Sequence, residues 1–200
     1  MGILLKHHLN NIFFGKECME DRCIVYHINS DDEIVFIGGI WDSFAAANDG
    51  DALSEASVLG RSLFDFISEK ESKHLYELLL IRIRESKKEI EFPFRCDSPD
   101  TRRYMCMKMT LLDEDMISFH SCIQKEETRE PAVLLDTKLK RGDGHIKICS
   151  WCKKIKVEED KWIEVEELAR EHQPFEDLEL PKLSHGICPD CLEQVLAEDL

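Results

Sequence analysis

The sequence predicts an α+β protein: a five-stranded antiparallel sheet with covering helices, followed by a small zinc-bound α/β module. Two short strand patterns come first, helical patterns follow, and three further strand patterns come next, an order typical of α+β folds. Near the end of the chain, four cysteines form two pairs, Cys149/Cys152 and Cys188/Cys191. Each Cys-x-x-Cys turn directs two thiolates at one point, which is the arrangement that tetrahedral zinc requires.

The first domain is predicted over residues 21–125, after an N-terminal segment of residues 1–20. Alternating apolar residues and turn signals predict strands at 23–28, 34–37, 89–95, 103–112 and 116–124. Helical spacing and Gly-containing breaks predict helices at 41–48, 61–67 and 69–87. In the longest helix, Leu75, Leu78, Leu79 and Arg82 are expected on one face.

Side chains on the later strands alternate between the two faces of the sheet, so one face is rich in aromatic rings and methionine. The candidate ligand-binding residues on this face are Phe92, Phe94, Met105, Met107, Met109 and Phe119. Methionine is adaptable and could line a small-molecule pocket, although such rows are usually packed core. Both interpretations stay open at this point.

Residues 126–145 are predicted to be a linker, with a helix possible at 128–139 and a flexible joint at 141–144. The zinc-binding module follows at 146–200. Trp162, Val165 and Leu168 have helical spacing, and the second cysteine pair opens directly into a last amphipathic helix. A helix N-terminus favours thiolate over thiol. A tight turn that carries the first cysteine pair, followed by a second pair at the start of a helix, resembles the treble-clef type of zinc finger.

Alternatives to zinc were weighed for the four cysteines. A thioredoxin-like redox pair also has the Cys-x-x-Cys spacing, but no βαβ pattern surrounds either pair. Attachment of c-type haem needs a histidine directly after the second cysteine, where Lys153 and Leu192 stand instead. His185 lies three residues before Cys188 and is an outside candidate for a Cys3His shell.

The composition favours a soluble cytoplasmic protein. The chain has 200 residues, 43% hydrophobic and 34% charged, without a run long enough to span a membrane or the layout of a signal peptide. The nine cysteines include five outside the two pairs, which are expected to be reduced thiols in apolar strands. These five are Cys18, Cys23, Cys96, Cys106 and Cys122.

The charge pattern argues against binding of nucleic acid by the module, because the net charge of −15 repels phosphate backbones. One local cluster of opposite charges surrounds a strand turn. It is expected either to form a salt-bridged hairpin or to present guanidinium groups to an anionic ligand. Its members are Arg95, Asp97, Asp100, Arg102 and Arg103.

Three segments of the first domain resemble a bacterial PAS-like family. These are Trp41-Asp42-Ser43-Phe44-Ala45 with Asn48, Val58 to Ile67, and Phe92 to Pro99 with Arg102-Arg103 and Met105-x-Met107. Members of that family carry the same kind of C-terminal Cys-x-x-Cys pairs. The resemblance covers about residues 20–124 and 148–192. It implies a PAS fold and a role in sensing or signalling, and it does not fix a ligand.

The sequence contains no phosphate-binding loop and no nucleophile elbow, so a non-enzymatic sensor or adaptor is expected. Its module would contact a protein partner in a signalling pathway, and a small molecule could occupy the PAS-like cavity. Apolar residues at the N-terminus, among them Ile3, Leu4 and Phe13, suggest a homodimer. The alternative functions are a thiol/zinc redox switch and a transcription regulator that uses the finger on DNA.

Overall fold

The computed structural model describes residues 20–171 and 179–197. The apolar N-terminal residues on which the expected homodimer rests lie outside the described part. The strands are β1 (Cys23–Ile28), β2 (Ile34–Gly39), β3 (Ile90–Arg95), β4 (Thr101–Leu111), β5 (Ile117–Thr128), β6 (Arg141–Cys149), β7 (Ile155–Lys156), β8 (Trp162–Ile163) and β9 (Leu180–Gly186). The helices are α1 (Trp41–Ala47), α2 (Glu55–Val58), α3 (Lys70–Ser86), α4 (Val165–Glu171) and α5 (Pro189–Ala197). None of these described helices has the length and apolar content needed to cross a membrane.

The first sheet contains five antiparallel strands in the order β2-β1-β5-β4-β3. This confirms the predicted α+β class and the five-stranded antiparallel sheet. Strand pairing places Phe92 opposite Met107 and Met109 opposite Phe119, so these side chains share one face. That face forms the main core together with α3.

Helix α3 packs on the sheet through Leu75, Leu79, Leu80 and Ile83, which are nearly fully buried. Leu78, which was grouped with Leu75 and Leu79 on one face, is 41% exposed. The apolar stripe follows the i, i+4, i+8 positions starting at Leu75, and Leu78 lies beside it. The helix ends where Lys87 adopts a left-handed conformation (φ 57°) and donates its N–H to the carbonyl oxygen of Ile83.

A second sheet has the order β8-β7-β6-β9, with β6 and β9 parallel and the other pairs antiparallel. It has its own small core, which includes Ile148, Ile155, Ile163 and Leu168. Residues 141–144 are not a flexible joint, because they begin strand β6. The register with β9 shifts between Arg141 and His145, so residues 142–144 form an irregularity between two paired positions. The helix considered at 128–139 is reduced to one 3-10 turn, Val133–Leu135.

The expectation that Cys23 and Cys122 are reduced thiols was wrong, because the structure joins them in a disulfide. Both are nearly fully buried, as expected. They lie directly opposite each other on β1 and β5, with their Cα atoms 4.0 Å apart. Facing positions of an antiparallel pair bring side chains this close. Cys106 lies opposite Cys122 on the other side, on β4, and is not part of this disulfide.

Peptide mapping without reductant is expected to recover Cys23 and Cys122 in one cross-linked pair of peptides. The physical reason is that strand pairing holds the two side chains against each other. Cys106 provides the internal control, because it should be alkylated without prior reduction. Recovery of Cys122 as an alkylated thiol, or its linkage to Cys106, would contradict the assignment.

Candidate metal centre

Each cysteine pair lies where a strand ends. Cys149 is the last residue of β6, and Cys152 follows in the next turn. Cys188 follows β9, and Cys191 lies in the first turn of α5. Because β6 and β9 are parallel neighbours, their carboxyl ends lie together. The four sulfur atoms all lie within 4.8 Å of one another, and three of the four residues are buried.

The spacing of the sulfur atoms matches a tetrahedral ion. The Sγ atoms of Cys152 and Cys188 are 3.7 Å apart. Zinc–sulfur bonds of about 2.3 Å in a tetrahedron give sulfur–sulfur distances of about 3.8 Å. The backbone N–H of Cys188 donates to the Sγ of Cys149 at 3.4 Å. This contact joins the two pairs directly.

The backbone of the first pair forms a tight knuckle. The N–H of Lys153 donates to the carbonyl oxygen of Cys149 (3.0 Å), and the N–H of Cys149 donates to that of Lys154 (2.8 Å). Lys153 adopts a left-handed conformation with φ 62°. The N–H of Ser150 donates to the carbonyl oxygen of Gly186 (2.8 Å). Backbone hydrogen bonds therefore place the knuckle against the strand that carries the second pair.

The thiols hold one another in mixed protonation states. Hydrogen bonds from Cys152, Cys188 and Cys191 lower the pKa of Cys149 strongly, because they stabilise its thiolate. The thiolate of Cys149 in turn raises the pKa of Cys152 and Cys191, which act as donors. A bound cation would favour the thiolate at all four positions.

The donor set fits a thiophilic ion. Four cysteine sulfurs in tetrahedral spacing suit zinc or iron, whereas magnesium and calcium prefer oxygen ligands. The four cysteines could therefore hold a metal ion of this soft class. His185 does not belong to the cluster, and its side chain is exposed. The four predicted cysteines therefore lie together, and zinc as the bound ion stays a prediction.

Trp151 fastens the knuckle to the first domain. It stands between Cys149 and Cys152, and its ring lies 5.6 Å from that of Phe92 and 5.9 Å from that of Tyr76. Its carbonyl oxygen accepts the backbone N–H of Arg95 at 2.6 Å. The side chain is 5% exposed. The residue between the metal ligands is therefore part of the core of the first domain.

A charged network forms a second connection between the two parts. Arg95 donates to Asp97 and to Glu164 (2.7 Å), while Glu166 accepts from Arg102 (2.8 Å) and Arg129 (2.9 Å). Glu164 and Glu166 belong to the C-terminal module, at the start of α4. The predicted salt-bridged hairpin therefore also reaches across to that module. No ligand is needed to account for the positions of these arginines.

The pKa shifts agree with this pairing. Burial alone would lower the pKa of Arg95, but the hydrogen bond and charge of Asp97, followed by Glu164, raise it. Burial would raise the pKa of Glu166, but hydrogen bonds from the backbone, Arg129 and Arg102 lower it. Arg95 and Glu166 both stay charged, because each has an oppositely charged partner in the other part of the chain.

Three of the six candidate ligand-binding residues line a pocket of about 360 Å³ beside the knuckle. These are Phe92, Phe94 and Met107. Met105, Met109 and Phe119 are almost completely buried in the core of the first sheet and do not line this pocket. Trp151 also lines this pocket and was not predicted from the sequence, although its place between two cysteines could have indicated it.

No protein-family model matches the chain, and no curated protein matches it.

Proposed function

We propose that the protein is a cytoplasmic, non-enzymatic PAS-like sensor or adaptor whose C-terminal zinc module contacts a protein partner. One observation carries this proposal. Cys149, Trp151 and Cys188 belong to the same apolar core as Leu75 and Phe92 of the first domain. A change in the packing of the first domain must therefore act on the residues that surround the metal.

The five-stranded antiparallel sheet, with helices on one face, supports the PAS-like assignment, as do the three sequence segments that resemble that family. The proposed signal is a population shift. A small molecule or a partner, including a second copy of the chain, favours one packing of sheet and helix α3. The core residues around Trp151 then transmit this preference to the module.

The proposed role of the metal is structural. Zinc in a closed shell of four thiolates organises a fold and has no open position for a substrate. In this chain the shell would hold the ends of β6 and β9 and the start of α5 together. The acidic surface of the chain supports a protein partner over DNA, because its net charge is −15.

Metal analysis of the purified protein tests the first part of the proposal, which expects about one zinc ion per chain.

Hydrogen exchange tests the coupling between the first domain and the module. Leu79→Ala removes a fully buried contact of α3 and should speed exchange in residues 145–152 and 183–197. The matched control is Leu78→Ala, because Leu78 is exposed on the same helix. If both variants leave exchange in the module unchanged, the coupling does not exist.

A second candidate function is a thiol/zinc redox switch. The contact between Cys152 and Cys188, and the disulfide between Cys23 and Cys122, favour it. Oxidation of the four thiolates would then release the metal. Titration with peroxide separates the two functions: a switch loses zinc in proportion to the oxidation of these cysteines, whereas a structural site keeps it.

A further inference from the structure

The pocket beside the knuckle lies between the two parts of the chain. Phe66 and Phe92 line it from the first domain, whereas Ser150, Trp151 and His185 line it from the C-terminal module. Any occupant therefore touches both parts at once. A volume of about 360 Å³ lies at the small end of ligand sites, which span about 300–1,000 Å³.

The lining of the pocket favours an aromatic ligand. Five aromatic side chains face it: Phe66, Tyr76, Phe92, Phe94 and Trp151. Aromatic rings prefer offset or edge-to-face contact with another ring. Burial raises the pKa of Tyr76 to about 12, so its phenol group stays neutral. The sulfur of Met107 adds a polarizable contact.

The polar groups of the pocket favour an anionic acceptor on that ligand. Lys153 lines the pocket, and its ammonium group uses one donor on the carbonyl oxygen of Ser150 (2.7 Å), which leaves further donors. The indole N–H of Trp151 is buried and has no hydrogen-bond partner among the described residues. Glu69 is the one carboxylate in the lining, and the charge of Arg95 is matched by Asp97 and Glu164.

We propose that this pocket binds a small aromatic carboxylate, and that the bound acid and the metal at the four cysteines stabilise each other. The inference rests on the proposed function and adds the class of ligand and the route of coupling. Trp151 forms a wall of the pocket and stands between two metal ligands. A ligand packed on Trp151 favours the closed knuckle, and the closed knuckle completes the pocket. Such coupling acts equally in both directions.

Isothermal titration of the zinc-loaded full chain with naphthalene-2-carboxylate tests the binding. A ligand of this size reaches a dissociation constant of about 1 mM at ordinary efficiency. Ser68 is exposed and lines the pocket, so Ser68→Trp places a bulky ring there. This variant should bind the acid about tenfold or more weakly. Ser30→Trp is the matched control on the distant β1–β2 turn, where Ser30 is also exposed.

The charge of the ligand is tested with the neutral carboxamide. Lys153→Gln should weaken binding of the carboxylate by roughly tenfold and leave binding of the carboxamide unchanged. The control Lys154→Gln should change the binding of neither compound, because Lys154 does not line the pocket. The absence of saturable binding up to about 10 mM, or equal binding by wild type and Ser68→Trp, overturns the proposal.

The coupling has a separate readout, the zinc affinity measured by equilibrium competition with a chromogenic chelator. Saturating naphthalene-2-carboxylate should raise this affinity about fivefold or more in the wild type and leave it unchanged in Ser68→Trp. Binding of the acid without a change in zinc affinity overturns the mutual stabilisation. The proposed function is judged on zinc content and hydrogen exchange measured without any aromatic acid, so the two can fail independently.

Discussion

Replacing Cys149 with serine is expected to abolish stable metal binding and to unfold the described part of the C-terminal module, residues 141–171 and 179–197. Cys149 is completely buried, and its sulfur contacts the N–H of Cys188. Structural zinc sites contribute about 10–16 kcal/mol of apparent binding free energy, more than the small core of the second sheet can replace. Zinc content and hydrogen exchange measure the effect. Protection should disappear from β6, β9 and α5 and persist in β1 and β5.

Cys96→Ser is the control for this change. Cys96 is also a free and partly buried cysteine, but it lies outside the metal cluster. The variant should keep its zinc and the protection of its module. Removal of the metal by a strong chelator should reproduce the effect of Cys149→Ser. A metal-free protein whose β6, β9 and α5 amides stay protected would contradict the structural role of the ion.

Replacing Asp97 with asparagine is expected to cost about 3–5 kcal/mol of unfolding free energy. The carboxylate of Asp97 is fully buried and pairs with Arg95 and Arg129. It also accepts the backbone N–H of Arg103 (3.2 Å). Asparagine keeps the shape but removes the buried negative charge that both guanidinium groups share, which leaves Arg95 with Glu164 alone and Arg129 with Glu166 alone. The change in the midpoint of urea denaturation, together with the slope, measures the loss.

Asp100→Asn is the matched control in the same turn. Asp100 is exposed and accepts hydrogen bonds from Ser98 and Thr101, which an asparagine oxygen can also accept. The cost should be about 0.5 kcal/mol or less. If the two variants lose equal stability, the network around Asp97 does not hold the two parts together.

Local patterns predicted much of this fold. The strands β1 to β5 follow from alternation and turn residues, since a strand buried on one face must repeat every second residue. The metal ligands Cys149, Cys152, Cys188 and Cys191 follow from spacing, because a two-residue gap sets the separation of two thiolates whatever surrounds it.

Contacts between distant segments could not be predicted in this way. Glu164 and Glu166 are ordinary acidic residues in sequence, and their partners are fixed only when the module packs on the first domain. The Cys23–Cys122 bond depends on the register of two strands 99 residues apart. Gly142 and Gly144 are typical turn residues, but they lie within strand β6, in the irregularity between two residues that pair with β9.

The contact between Arg95 and Trp151 also has a consequence for self-association. Strand β3 is an edge strand, and its odd-numbered residues turn their backbone groups away from β4, as the Arg95 N–H shows by bonding Trp151. Pro93 has no N–H, and that of Arg95 is already used, so only Glu91 offers an outward donor along this fully described strand. Strand β3 therefore offers almost no backbone donors for pairing with a strand of another chain. A dimer that extends the first sheet by strand pairing is therefore expected to use a different edge.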